Sequence, residues 1–449
     1  MGTKKEDKPV AGIAGFMQAA LVAAQKEFGE RGSYVGAEHE KRHIGIPIPC
    51  LALQWLLHST IYPLQKLTLS AGPPQTCKST FTFELQKWFL ASGGGVINVD
   101  AESKTSPFLR RSMIPDIFFT DPEQVIRYQH LSVGDIEGWQ RAISLQLDSM
   151  ESYLATFKAK PDFPLLITVD SMTAVQTETD NASVFKEGAA PGRAYSESPI
   201  MISQYLKTIS DRILGWPVCI HFVNHEKTNM DGEGSHTPGG SSKDFHASID
   251  MRFSLSTGDK TGCYLGKTPI IEILSEGLQG RHIRIKTFKN SFGPSKREIH
   301  VPFLWKFVDD PTAPQGWKQV SWWEWEDATS RLLAENARDL TKAGVMDIGI
   351  IQSKSFKDEN DKHVRNEVAY YSERMGIKER EAVMPRDFGK LVHSDTALMS
   401  ELQKFFNIPV YPTFTAGCFD YADEIAAVGK EKKKDEGKKK PDWMAGGNA

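Results

Sequence analysis

Leu67-Thr-Leu-Ser-Ala-Gly-Pro-Pro-Gln-Thr-Cys-Lys-Ser-Thr80 decides the reading of this chain. Leu67 to Ala71 reads as a buried strand, Gly72-Pro-Pro breaks it, and Lys78-Ser79-Thr80 opens a helix. Gly72, five residues, then Lys78 and Ser79 is the spacing of a phosphate loop, with Cys77 where the second glycine normally stands. The chemistry explains the layout. Backbone N–H groups of the loop and of the helix N-terminus point at phosphate oxygens, and the helix dipole favours negative charge there. The expected cradle is Gly72, Pro73, Pro74, Gln75, Thr76, Cys77, Lys78, Ser79 and Thr80. Lys78 reaches the β- and γ-phosphates, and Ser79 holds Mg²⁺. The competing reading is a Gly-Pro-Pro turn before an ordinary helix, so the rest of the chain has to decide.

Three more apolar runs follow, each ending in polar residues: Val96–Asp100, Leu165–Asp170 and Val218–Asn224. Their near-continuous apolar content fits strands buried on both faces, and helical patterns over 135–157 and 199–214 lie between them. That is the βαβ rhythm of a parallel α/β sheet. The first run leads into Asp100-Ala-Glu102, where Glu102 is a candidate general base or water-positioning group. The second ends at Asp170, which would hold Mg²⁺ with Ser79. The third ends in Asn224-His225, facing the crevice at the carboxyl ends of the strands. Each has a plainer alternative: solvated strand ends for Asp100 and Glu102, a helix cap for Asp170, a turn cap for Asn224 and His225. Two glycine-bearing loops complete the set. One runs over 178–198 with Gly188, Gly192 and Arg193. The other runs over 226–247 with Gly239, Gly240, Lys243 and Phe245. Long loops inside a compact unit are commonly functional. These two are candidates to line a channel for a polymer backbone; solvated loops without a ligand are the alternative.

In this order, Gly-Pro-Pro-x-x-x-Lys-Ser, Asp-Ala-Glu, Val-Asp-Ser, Phe-x-Asn, Gly-Gly-x-x-x-x-Phe-x-Ala-Ser and Lys-Asn-Ser-Phe-Gly-Pro, the segment 45–305 resembles the RecA-type recombinase family. The resemblance implies a RecA-like P-loop ATPase core with a mostly parallel sheet. It implies hydrolysis of ATP with Mg²⁺, and helical homo-oligomeric filaments on single-stranded DNA that pair with double-stranded DNA. By the same resemblance Lys78 and Ser79 match the phosphate and Mg²⁺ residues, Glu102 the catalytic glutamate and Asp170 the Walker B acid. Arg193, Gly239, Gly240, Lys243 and Phe245 fall in the two DNA-binding loops. His225 stands where a glutamine links ATP to DNA, and Lys289 matches a basic residue that reaches the neighbouring subunit's ATP. Other departures are Cys77 itself, Ser291 for a second interface lysine, Leu109 for an adenine-stacking tyrosine and Asp244 for a loop lysine. They read as a divergent, bacteriophage-type branch. Competing functions are a hexameric helicase or motor, and a catalytically weak DNA-binding filament scaffold.

Composition is compatible with all of these. A chain of 449 residues is too long for one core, and 25% charged with 40% hydrophobic residues is ordinary for a globular protein. The expected division is a short N-terminal helical arm for oligomerisation over 1–45, the ATPase core over 46–310, an α-rich C-terminal domain over 311–425, and a disordered basic tail over 426–449. Helices are expected over 9–29, from Ile48 to Leu57, and over 323–343, 364–375 and 395–406. Antiparallel strands are expected over 249–255, 270–274, 283–288 and 298–303. The Trp317, Trp322, Trp323 and Trp325 cluster reads as a hydrophobic plug between domains. No apolar run spans a bilayer and no secretory signal is evident, so the expected setting is cytoplasmic, in a bacterial host cell if the source is viral. The five cysteines are scattered without metal-ligand spacing, which fits free thiols.

Overall fold

The computed structural model describes residues 43–157, 161–173, 177, 197–228, 235–240, 242–256, 270–273, 277–357 and 363–415, with isolated positions between 17 and 23. The expected arm helix over 9–29, most of the 178–198 loop with Arg193, and the basic tail lie outside the described residues.

The chain starts with a short ribbon. Strand β1 (Gly45–Pro47) pairs with β2 (Ile61–Pro63) across helix α1 (Leu51–Leu57). Then come β3 (Lys66–Gly72), α2 (Lys78–Ala91), β4 (Gly95–Asp100), α3 (Pro107–Met113), β5 (Tyr128–Ser132), α4 (Ile136–Phe157), β6 (Leu165–Asp170), α5 (Glu197–Arg212) and β7 (Val218–His225). Beyond a small ribbon of β8 (Lys227–Thr228) and β9 (Ser235–His236) follow α6 (Ser242–His246), β10 (Ala247–Leu255), β11 (Ile270–Ile273), β12 (Leu278–Asn290), β13 (Glu298–Asp309) and β14 (Trp317–Trp323). The molecule is a mixed α/β protein built on a ten-stranded sheet in the order β14-β13-β12-β10-β3-β7-β6-β4-β5, with β11 added to β12. Every neighbouring pair from β10 to β5 is parallel. The β10–β14 side is antiparallel.

The apolar runs explain the layering. Val96, Val99, Leu166, Ile167, Val169, Val218, Ile220 and Phe222 are all buried, as parallel strands covered on both faces require. One face packs on α4 and α5 through Trp139, Ile143, Leu147, Ile202 and Leu206. The other packs on α1 and α2. Nearly every position of α2 from Thr80 to Leu90 is buried, because that helix lies between the sheet and a stack of aromatics. Trp323 and Trp325 stack at 5.4 Å, and Phe81 meets both edge-on. Truncating a fully buried ring such as Phe81 would cost about 3–5 kcal/mol. Trp323 and Trp325 thus form the expected plug, with Trp88 and the buried Glu84 carboxylate accepting from the indoles of Trp88 (3.0 Å) and Trp325 (3.3 Å). Trp317 stands apart, 41% exposed against Phe307.

The last unit holds α7 (Trp325–Glu335), α8 (Ala337–Lys342), the hairpin of β15 (Gly349–Lys357) and β16 (His363–Tyr371), then α9 (Pro385–Ser394) and α10 (Thr396–Phe405). Three expectations change here. The Pro311–Gly316 stretch, at the expected start of the C-terminal domain, is a hairpin turn: Asp310 N–H donates to the Gly316 carbonyl at 3.0 Å, and β14 joins the main sheet. The single helix over 323–343 starts only after β14 and is split at Asn336. Residues 364–375 are not helical. Val364, Val368 and the two tyrosines favour a pleated ladder, and Gly349 lies so close to the Tyr371 ring that any Cβ would clash. The described part of the unit is therefore helical with one β-hairpin added. It docks on α1 through Leu51 and through the amide of Ala52, which donates to Thr329 Oγ1.

Candidate functional site

The register of the parallel strands gathers the candidate groups at one end of the sheet. Gly72 stands opposite His225, and Asp100 opposite Asp170. The carboxyl ends of β3, β4, β6 and β7 therefore open on a common crevice, the position where α/β sheets bind ligands.

Backbone geometry makes the Gly72–Thr80 loop. A Cβ on Gly72 would sit 2.2 Å from the Phe253 carbonyl oxygen, so β10 passes too close for any other residue. Gln75 and Cys77 both adopt the left-handed region at φ 62°. Cys77 caps α2 from that conformation without a side-chain hydrogen bond, so the first amides of the helix keep no side-chain cap from it. A left-handed residue followed by the right-handed start of a helix turns successive N–H groups inward, the geometry of an anion nest. Side chains tie the loop to itself. Thr76 Oγ1 donates to the Pro73 carbonyl at 2.8 Å, Lys78 Nζ to the same oxygen at 2.6 Å, and Thr80 Oγ1 to the Cys77 carbonyl at 2.7 Å. Burial holds Lys78 below the ordinary lysine range, opposed by Asp170 and Glu102.

Ser79 Oγ donates to Asp170 Oδ2 at 2.5 Å. Burial pushes Asp170 up to about 6; the Ser79 hydrogen bond opposes it, while the charges of Glu102 and Asp100 add to it. A hydroxyl and a buried carboxylate side by side are hard oxygen donors that fit Mg²⁺, which would supply charge neutralisation there. Among the described residues no cluster of three His, Cys, Asp or Glu side chains forms a self-sufficient metal site.

Glu102 is held from three sides. Its Oε1 accepts from Ser171 Oγ at 2.8 Å and lies 2.6 Å from His225 Nε2, and Lys104 Nζ is 3.0 Å from Oε2. The His225 hydrogen bond, helped by Ser171 and Lys104 and opposed by burial, pulls Glu102 down to about 2. A carboxylate kept charged in this way, beside His225 at the strand ends, is suited to orienting a water more than to accepting a proton.

His225 and Asn224 connect the crevice to the second loop. The His225 amide donates to Asn224 Oδ1 at 2.9 Å, Thr173 Oγ1 donates to the same oxygen, and Asn224 Nδ2 donates to the Pro238 carbonyl at 2.9 Å. Gly239 follows at φ 99° with Thr173 against it, and Gly240 at φ 73°. The other expected DNA residues divide. Phe245 is 77% exposed. Lys243 is buried, with its ammonium on the Gly240 carbonyl (2.8 Å) and near Asp244 (3.2 Å), so it braces the loop from within instead of presenting charge outward. Lys289 Nζ donates to the Asp244 and Phe245 carbonyls, 2.7 Å each. It pairs in register with Asp250, which pairs with Leu69, three residues before Gly72, so it sits below the crevice of its own chain.

The loop borders a cavity of about 450 Å³ whose far wall sequence reading did not anticipate. Leu109 lies there as expected for the departure at that position, joined by Arg281, Phe303, Trp305 and Gln319 from β12, β13 and β14. Arg281 Nη1 donates to the Gln75 carbonyl at 2.5 Å. A helix N-terminus and a neighbouring Lys78 would by themselves favour thiolate. Burial instead pushes Cys77 up to about 11, outweighing the Lys78 and Arg281 charges. Compared with known proteins, the chain matches no family model and no curated protein.

Proposed function

We propose that this protein is an ATP-dependent DNA recombinase of RecA type, hydrolysing ATP with Mg²⁺ and assembling as helical filaments on single-stranded DNA for pairing with a homologous duplex. The observation that carries the reading is the meeting of Lys78, Ser79, Asp170, Glu102 and His225 at the carboxyl ends of four adjacent parallel strands. Each residue then has one task. The loop amides and Lys78 bind the triphosphate, and Ser79 with Asp170 would hold the cation. Glu102 orients the attacking water, and His225 fixes Glu102 through their 2.6 Å contact. The Asn224–Pro238 hydrogen bond supports the recombinase form of the reading over a generic ATPase, because it ties the nucleotide strand to the Gly239-Gly240 loop expected to meet DNA.

The test is ATP hydrolysis measured with and without single-stranded DNA, with negative-stain imaging of the same samples. DNA-stimulated turnover with helical filaments is the expected result. Closed rings would favour a hexameric helicase or motor, and filaments without hydrolysis a scaffold; either would overturn the reading. No helix among the described residues is long and apolar enough to cross a membrane.

A further inference from the structure

We propose that Arg281 is a phosphate-binding residue of this site, a cation delivered from β12 to the nucleotide held by the Gly72–Thr80 loop. The inference rests on the nucleotide-binding part of the function proposed above.

Charge is the first argument. The cavity is walled by two fixed cations, Lys78 and Arg281, and by the Asp170 carboxyl. A triphosphate brings about four negative charges, and Asp170 adds another when ionised. Lys78 with a Mg²⁺ held by Ser79 and Asp170 would offset about three of those charges, and the remainder would be uncompensated in a partly desolvated cleft, where an unmatched charge is costly.

Pairing is the second. Several half-buried arginines are committed to carboxylates, Arg212 to Asp148 and Glu151, Arg252 to Asp250 and Arg331 to Asp327, while Arg127 and Arg297 spend their donors on carbonyls away from the cavity. Among the described residues no carboxylate lies within ion-pair distance of Arg281. Its one hydrogen bond goes to the neutral carbonyl of Gln75. A guanidinium has five donors in a planar fork suited to phosphate oxygens, so four remain for a ligand.

Placement is the third. Arg281 reaches the loop because Gly280 lets β12 lie close on β13: a Cβ there would meet the Phe303 carbonyl at 2.6 Å and Leu304 Cδ2 at 2.5 Å. The Gln75 carbonyl receives the guanidinium because Gln75 is left-handed, which turns that peptide relative to its neighbours. The bond therefore holds the arginine at the loop before any ligand arrives. Pre-positioning of this kind lowers the ordering cost of binding.

The experiment uses the full chain and compares Arg281→Ala, Arg281→Gln and Arg281→Lys with the parent and with Lys78→Ala. Binding of ATP, ADP and adenosine is measured by calorimetry, and urea denaturation checks that each variant is folded. Loss of a charge-assisted phosphate contact should weaken ATP and ADP roughly ten- to a hundredfold in the Ala and Gln variants, with adenosine unchanged and Lys in between. Gln is the discriminating variant, since its amide is able to replace the bond to Gln75 but carries no charge. ATP binding by Arg281→Gln equal to the parent would overturn the assignment and leave Arg281 as a loop brace. Equal losses for adenosine and ATP would overturn it as well. No ATP binding by the parent would remove the nucleotide-binding reading, and Arg281 with it.

Discussion

Cys77 is where the loop departs most from what its backbone asks for, and the cost is open to measurement. At φ 62° and ψ 28° a side chain crowds the following carbonyl, a penalty of about 1–2 kcal/mol for a residue other than glycine. Cys77→Gly removes that penalty but gives up about 0.4–1 kcal/mol, because glycine is freer in the unfolded chain. It also loses the packing of the half-buried thiol against the core under α2. Cys77→Ala loses nearly the same packing and keeps the left-handed Cβ. The difference between the two variants therefore reports the strain less glycine's unfolded-chain entropy. Glycine should be the more stable by roughly 0.5–1 kcal/mol, read from urea midpoints at constant slope. Glycine should also bind or turn over ATP better than the parent, because no side chain crowds the approach to the phosphates. Since burial lifts the thiol to about 11, iodoacetamide should label Cys77 slowly at pH 8 even without nucleotide. An alanine variant as stable as the glycine variant would refute the strain argument, and rapid labelling would refute the burial argument.

Glu102→Gln should retain nucleotide and lower turnover about a hundredfold or more in a coupled ATPase assay; unchanged turnover would remove Glu102 from its role. Asp170→Asn tests linkage: the folded carboxyl titrates near 6 against 3.8 for its ordinary value, so the folded state holds this proton more tightly than the unfolded chain. Asp170 therefore costs stability above about pH 6 and nothing below about pH 4, and the Asn variant should be more stable than the parent at pH 8 by up to roughly 1–3 kcal/mol while losing Mg²⁺-dependent binding. Urea midpoints of parent and variant that stay parallel from pH 4 to 8 would contradict this. Lys289→Ala mixed with Lys78→Ala should recover partial turnover at subunit junctions if Lys289 acts on a neighbour's nucleotide; no recovery, with filaments confirmed by imaging, would return Lys289 to its bracing role on the Asp244 and Phe245 carbonyls.

The parallel half of the sheet was legible because its strands are buried on both faces and so carry unbroken apolar runs, as in Leu165–Val169. Their order across the sheet was not legible, because β3 between β7 and β10 is a matter of long-range pairing. The antiparallel half exposes one face, and its alternation is weaker. Pro311 and Pro314 are as good a signal for a tight hairpin as for the start of a new unit. What makes them a hairpin is the β13–β14 ladder from Phe303–Trp323 to Asp309–Trp317, which local sequence does not specify. The same ambiguity misassigned 364–375. Val364, Glu367, Val368 and Tyr371 fit a helical face by spacing, and only pairing with β15 makes them a strand.

The site divides along the same line. Its groups on one continuous segment, Gly72 to Thr80, announce themselves by spacing, because one backbone turn positions them all. Glu102, Asp170 and His225 are separate in sequence, yet each closes an apolar run, and parallel strands bring their ends together; order along the chain therefore carried information about space. Arg281 breaks that rule. It lies in Gln-Gly-Arg-His-Ile-Arg-Ile-Lys, where charged residues alternate with apolar ones as on any solvated strand face, and Arg284 is just as basic. Only register separates the two: Arg281 pairs with Phe303 beside the cavity and bonds the Gln75 carbonyl, while Arg284 pairs with Ser254 and His300 and donates to Ser254 Oγ. A single-residue slip of β12 would turn Arg281 to the opposite face of the sheet. Gly280, whose Cβ position is already filled by Phe303 and Leu304, is the sequence feature that resists that slip, since every other residue in its place would force β12 away from β13.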